Sequence, residues 1–212
     1  MTAPHTLIRR DAAALAGRVP VFARALERVG TAFEVVVRGP GFGSLVATIL
    51  AQQVSVDAAS AMHRRLEGTL GGEVTPGGLL TLDDAALRTC GFSRQKAGYA
   101  RDLAAAVAAG EVDLDRMGAL PPDEAITALT ALRGVGRWTA ECYLVFGLAA
   151  RDVLPAGDLA LLVGWQELAG LGERPTEEQL RETAAAWAPQ RTAAAWLLWH
   201  WYLAERGRGV PR

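Results

Sequence analysis

The sequence predicts an all-α protein of about ten short helices. Apolar residues recur at three- to four-residue spacing almost throughout, and no convincing run of two-residue alternation offers a strand. Gly, Pro, Asp or Ser stands at nearly every break in that pattern, where caps and turns require them. DAAALAGR and PVFARALERVG open the chain, the second with Pro20 in its first turn, where the missing N–H costs nothing. FGSLVATILAQQV forms a more apolar helix. Ser55 is placed to cap VDAASAMHRRLEGTL, which Gly71 and Gly72 stop. DDAALRTC, RQKAGYARDLAAAVAAG and PDEAITALTAL follow. WTAECYLVFGLA, LALLVGWQELAG, TEEQLRETAAAWA and RTAAAWLLWHWYLAE complete the set, and the tail RGRGVPR is expected to fray. Short links between short helices predict an all-α globule rather than a long bundle.

With 212 residues, half of them hydrophobic, the chain can bury the core of one large domain or of two small lobes. The formal net charge of −1 provides no general attraction for nucleic acid, so any such partner must be met by local positive charge. Of the 22 lysines and arginines, only Lys96 is a lysine. Cys90 and Cys142 stand far apart, a pattern that supplies neither a disulfide framework nor a zinc or iron–sulfur site. The N-terminus has no apolar run of signal-peptide length, and no segment has the length and apolarity to span a bilayer. The expectation is a cytoplasmic protein without a membrane partner.

The most informative stretch is LRGVGRWTAECYLVFGLAARDVLPAGDLAL, residues 132–161. Leu132 to Arg137 form a tight link between two helices. Gly134 and Gly136 let the chain turn without Cβ clashes and bare the amides, with that of Val135, at the start of the next helix. Such a turn suits an anion, and Arg133 and Arg137 flank it, although an ordinary helix–turn–helix corner uses the same residues. Asp158 stands just before the apolar run LALLVGWQELAG, where capping alone explains it, at about 1 kcal/mol. Trp187, Trp196, Trp199 and Trp201 crowd the last helices, and at least two of them are expected in the core.

Four ordered stretches then resemble one family. Leu-x-Gly-Val-Gly-x-Trp-Thr-Ala, with Asp158 twenty residues beyond its Trp138, resembles the helix–hairpin–helix superfamily of DNA glycosylases. ILAQQVS (49–55), GFSRQKAGYARDLA (91–104) and WAPQRTAAAWLLWHWY (187–202) are similar to segments of its branch of bacterial and yeast 3-methyladenine DNA glycosylases. The resemblance covers roughly residues 10–205 and implies a two-lobed fold. In it a six-helix barrel of residues 41–150 contains the hairpin 132–137, residues 1–40 and 151–212 form the second lobe, and the active-site cleft lies between them. It implies the compact form of the fold, without the N-terminal β domain of larger relatives.

The resemblance also implies the chemistry. Asp158 takes the position of the family's essential aspartate, which stabilises positive charge developing at the sugar C1′. Trp199 is implied as a stacking surface for a flipped, cationic alkylated purine, with Trp138 and Tyr143 as further pocket walls. Some relatives carry tyrosine where this chain has Cys142, with Tyr143 one place along. Gln53 is implied as the plug that fills the gap left by the base, with Gln52 and Ser55 bracing the loop or touching the DNA backbone. Lys96, Arg133, Arg137 and Arg191 join Gly134, Val135 and Gly136 as implied DNA contacts. Bifunctional relatives use a hairpin lysine as nucleophile, and Trp138 stands at that position, so the implied enzyme hydrolyses the bond without lyase activity. No cofactor and no catalytic metal is expected, although a structural cation at the hairpin carbonyls is compatible with the family. The expected partner is double-stranded DNA carrying damaged bases, met by a monomer. A catalytically silent DNA-binding module, a helical interaction domain, and a glycosylase for deaminated or etheno-purines are the alternatives.

Overall fold

The computed structural model describes residues 3–208, so residues 209–212 of the tail lie outside it. Among the described residues there are twelve α-helices and no strand. They divide into two units, one running from Arg38 to Leu148 and the other joining the residues before Arg38 to those after Leu148.

The first unit contains seven α-helices rather than six. These are α3 (Phe42–Ala51), α4 (Val56–Leu70), α5 (Pro76–Thr81), α6 (Asp84–Cys90), α7 (Arg94–Ala108), α8 (Pro122–Thr130) and α9 (Arg137–Cys142). The additional helix is α5, whose sequence PGGLLT is too short and too glycine-rich to display a helical period. Thr75 caps it, and Leu79 anchors it in the core. At the centre lies α3, with Leu45, Val46, Ile49 and Leu50 fully buried. Each such large side chain contributes roughly 1.5–3 kcal/mol relative to exposure. Ser55, Asp83 and Ser93 accept backbone N–H bonds as the N-caps of α4, α6 and α7.

The helix expected to run from Trp138 to Ala149 changes character part-way. From Tyr143 to Gly147 it winds as a π-helical turn, closed by the Leu148 amide donating to the Tyr143 carbonyl at 3.2 Å. Tyr143 is fastened at the start of this turn. Its ring lies so close to Gly147 that a Cβ there would stand 3.0 Å away, and its hydroxyl accepts the Gly41 amide at 3.0 Å. The helix expected to extend to Val54 ends earlier, at Ala51, because Gln52 leaves the helical region with ψ 124° and Gln53 then turns left-handed with φ 57°.

The second unit contains α1 (Pro4–Arg18), α2 (Pro20–Val29), α10 (Leu159–Ala169), α11 (Glu177–Thr183) and α12 (Arg191–Ala204). Helix α12 is its axis, buried continuously from Thr192 to Leu198. Helix α10 approaches it closely at Gly164, where a Cβ would lie 2.7 Å from the Leu198 carbonyl oxygen. Trp187 and Trp196 are core residues, and Trp187 packs edge-on against Phe22 and Trp165.

Two polar ties hold chain segments that are distant in sequence. Arg151 forks onto the buried Asp11 with bonds of 2.7 and 2.8 Å. His200 lies 2.7 Å from the Glu34 carbonyl, and since a carbonyl only accepts, Nε2 carries the proton. Burial pushes the His200 imidazolium below its ordinary pKa, and the Glu34 carbonyl opposes that only in part. A histidine lowered in the folded state contributes stability that is complete above the unfolded value of about 6.5 and is lost as pH falls through the folded value. The melting temperature should therefore be flat above pH 7 and fall below about pH 6.5. His200→Gln, which keeps a donor but cannot titrate, should flatten that slope in a thermal-melt series.

Candidate nucleic-acid interface and active site

The link Leu132–Arg137 is a tight turn whose two glycines do different work. Gly134 has φ 84°, and a Cβ built on it would stand 2.1 Å from Cγ of Tyr99 on α7. The turn can approach α7 only because the side chain is missing. Gly136, the N-cap of α9, has an ordinary φ of −82°, and a Cβ there would meet no atom within 4 Å. Folding does not demand a glycine there; its effect is to leave the backbone at the start of α9 uncovered. This corrects the expectation that both glycines relieve clashes.

The turn is tied to the end of α3. Gln52 Nε2 donates to the Gly134 carbonyl at 2.9 Å and to Thr139 Oγ1 at 3.0 Å. Lys96 Nζ donates to the carbonyls of Leu50 and Gln52 at 2.7 and 2.8 Å, satisfying the C-terminal end of α3. Burial lowers the Lys96 pKa. Ser55 Oγ accepts the Ala58 amide at 3.2 Å. Gln53 and Val54 remain as an exposed tip. Between tip and turn lies a groove of about 600 Å³ lined by Gln53, Val54, Tyr99 and Gly134 to Gly136. A larger groove of about 740 Å³ lies at the other end of α3, but Glu67, Glu73, Asp113 and Asp115 line it and repel a phosphate backbone.

The basic side chains divide by the strength of their ties. Arg133 contacts Asp102 at 2.7 Å, with side chains 73% and 47% exposed. Such a pair is worth about 0–1 kcal/mol and exchanges readily for a phosphate. Arg137, half exposed, bonds the buried Glu141 at 2.9 Å. Arg191 is locked: its Nε and Nη2 both meet Asp152 at 2.8 Å, and its amide adds a third bond at the start of α12. Burial would raise the Asp152 carboxyl, but the Arg191 fork and the charges of Arg191 and Arg151 hold it below its ordinary value. Among the described residues no group of three or more His, Cys, Asp or Glu could hold a metal ion. The carbonyls of Leu132 and Gly134 accept bonds from the Val135 amide and the Gln52 side chain.

Asp158 caps α10. Its Oδ1 accepts the amides of Ala160 at 2.9 Å and Leu161 at 3.3 Å, and the side chain is only half-buried. Pro155 supplies the turn before it, accepting the Asp158 amide at 2.9 Å. The carboxylate is thus held at the positive end of a helix of 11 residues, with a fixed direction. Trp199 is half-buried and packs edge-on against Trp196, at 5.8 Å between ring centroids. Trp138 is half-buried near the start of α9. Tyr143, expected as a pocket wall, has 0% exposure and a hydroxyl committed to Gly41. It is a core residue, held inward by that bond and by its contact with Gly147.

A family model described as the HhH-GPD superfamily base excision DNA repair protein matches residues 46–190. The chain belongs to this superfamily. It is 34% identical over 161 residues to DNA-3-methyladenine glycosylase 1 of Schizosaccharomyces pombe, covering 74% of this chain and 71% of that protein. It is 30% identical over 190 residues to DNA-3-methyladenine glycosylase 2 of Escherichia coli, covering 83% of this chain and 64% of the relative. The solved structure of a 3-methyladenine DNA glycosylase of S. pombe in complex with abasic DNA matches it with a TM-score of 0.83 at 31% identity, over 90% of this chain and 95% of that one.

In this superfamily member, two residues of the interface carry no role that the sequence alone reveals, Tyr99 and Thr139. Tyr99 lies within the stretch GFSRQKAGYARDLA, but its partner Gly134 is 35 positions away and only the fold joins them. The turn geometry makes a clear distinction between the two glycines. Gly134→Ala should cost about 2–5 kcal/mol, combining overpacking with left-handed strain. Gly136→Ala should cost no more than about 1 kcal/mol, the loss of a glycine N-cap. Paired denaturant melts measure the difference.

Proposed function

We propose that this protein is a DNA glycosylase of base excision repair that releases alkylated purines of the 3-methyladenine type and leaves an abasic site. The observation that carries the reading is the carboxylate of Asp158, held at a helix N-terminus in a chain about one-third identical to 3-methyladenine glycosylases. As the bond between the base and C1′ breaks, positive charge develops on the sugar. A fixed anion stabilises it there without having to reorganise. Water adds to C1′ and loses a proton, and the alkylated base departs with the bonding electrons, neutralising its own cationic charge. The leaving group therefore needs no strong general acid.

The half-buried indole of Trp199 supplies the stacking and cation–π surface for the flipped base, and Trp138 a second wall. The uncovered turn Gly134 to Gly136 and the exchangeable Arg133 grip the phosphate backbone, and the half-exposed Arg137, kept on Glu141, adds positive charge beside them. Gln53 enters the space the base vacates. Lys96 and Arg191, engaged within their own units, position other groups rather than contact DNA. Two features support hydrolysis without lyase chemistry. Trp138 occupies the hairpin position of the nucleophilic lysine, and the sole lysine of the chain donates to two backbone carbonyls. The protein acts as a monomer on double-stranded DNA in the cytoplasm.

The experiment that tests this reading exploits capping. Asparagine caps a helix as well as aspartate does, so Asp158→Asn removes the charge and keeps the fold. In single-turnover assays on a duplex with one alkylated purine, the variant should lose about 10²–10³-fold in rate. Its melting temperature and its affinity for abasic-site DNA should remain. Equal rates for the two proteins would overturn the role of Asp158.

A further inference from the structure

The exposed tip Gln53–Val54 is strained, and its strain has a support. Gln53 is one of two non-glycine residues with a left-handed backbone among those described. That conformation costs roughly 1–2 kcal/mol and persists only where the flanking chain dictates it. Both flanks of Gln53 are pinned. On one side, the Gln52 carbonyl is held by Lys96 and the Gln52 side chain by Gly134 and Thr139. On the other, Ser55 caps α4.

The same helix that carries Lys96 also sets the height of the hairpin. Ser93 starts α7 by accepting the Lys96 amide at 3.2 Å, which fixes where the lysine leaves the helix. Tyr99 lies three residues on, hence on the same face. Its ring fills the space where a Gly134 side chain would be, and its hydroxyl takes a bond from Gln95 at 2.6 Å. One face of α7 thus holds the end of α3 just before the tip through Lys96 and touches the hairpin through Tyr99, and Gln52 closes the triangle.

We propose that Lys96 is a positioning residue that locks the strained tip Gln53–Val54 in register with the hairpin Leu132–Arg137, so that gap filling and phosphate grip are delivered as one rigid element. The inference rests on the glycosylase reading for its consequence, and on the contacts of α7 for its mechanics. A lysine on two carbonyls of a helix end is a stronger tie than a neutral donor, because the helix C-terminus carries partial negative charge. Cutting it should release both loops together.

Hydrogen–deuterium exchange on the full chain tests the mechanics. Lys96→Met keeps the length of the stem and removes the donor. It should raise exchange about tenfold or more at residues 50–55 and at 132–137, with α12 unchanged and Lys96→Arg restoring protection. An unchanged hairpin, or a rise spread evenly over the helices α3 to α9, would overturn the lock. Should Lys96→Met fail to fold, Gln52→Leu cuts the tip-to-hairpin link alone and should raise exchange at the hairpin; unchanged protection there would equally overturn it.

The consequence is read by single-turnover release from two duplexes, one with the alkylated purine paired to thymine and one with it opposite a tetrahydrofuran abasic analogue. Extrusion is cheap in the second, because the base has no partner to lose. Lys96→Met should lose at least tenfold more rate on the paired substrate than on the unpaired one. Equal loss on both would overturn the positioning role. Absence of release by wild type from either duplex would sink the glycosylase reading, and the exchange result would still decide the lock.

Discussion

A helix leaves its first amides and last carbonyls without partners, and in this chain single charged side chains meet that need at two decisive ends. Asp158 accepts the first amides of α10, and Lys96 donates to the last carbonyls of α3. Each group lies where the helix dipole favours its charge. Each is thereby held in one orientation, and that fixity is what the proposed chemistry uses. A carboxylate with a fixed direction stabilises a sugar cation that a mobile one would solvate poorly. An ammonium fastened to the end of α3 steadies the tip beyond it.

The same economy governs the arginines. With a net charge of −1, this protein cannot hold DNA by a diffuse basic field. Positive charge must be presented locally, by side chains whose own partners are cheap to exchange. Arg133 meets that condition because its contact with Asp102 is exposed on both sides. Arg191 does not, since its fork on Asp152 also fastens the start of α12. Binding built on few contacts should be steeply sensitive to the loss of any one and modest in its overall salt slope.

Much of this is legible in the sequence because it is local. The cap at Asp158, the cap at Ser55 and the glycine stop at Gly71 each depend on neighbours within a few positions, and α4 and α7 each carry a polar and an apolar face. What is illegible depends on distant contacts. Nothing near Lys96 indicates that its partners are the carbonyls of Leu50 and Gln52. Nothing near Gly134 indicates that the ring of Tyr99 demands a glycine there. The burial of Tyr143 is illegible too, because its hydroxyl meets the amide of Gly41, 102 positions away. Helix α5 is hidden in the sequence because two glycines in six residues mask its period. The division of labour between Gly134 and Gly136 is likewise a property of the fold and not of the Gly-x-Gly pattern.

The most direct test of the central claim is to incubate the protein with DNA treated with a methylating agent and to assay both the soluble fraction and the strands. The account predicts free 3-methyladenine-type bases in solution, one abasic site for each base released, and strands that stay whole until alkali is added. Strands cut without alkali, or a protein–DNA adduct trapped by borohydride, would contradict hydrolysis without lyase chemistry. No released base from a correctly folded protein would contradict the reading of Asp158 and its helix as an alkylpurine glycosylase site.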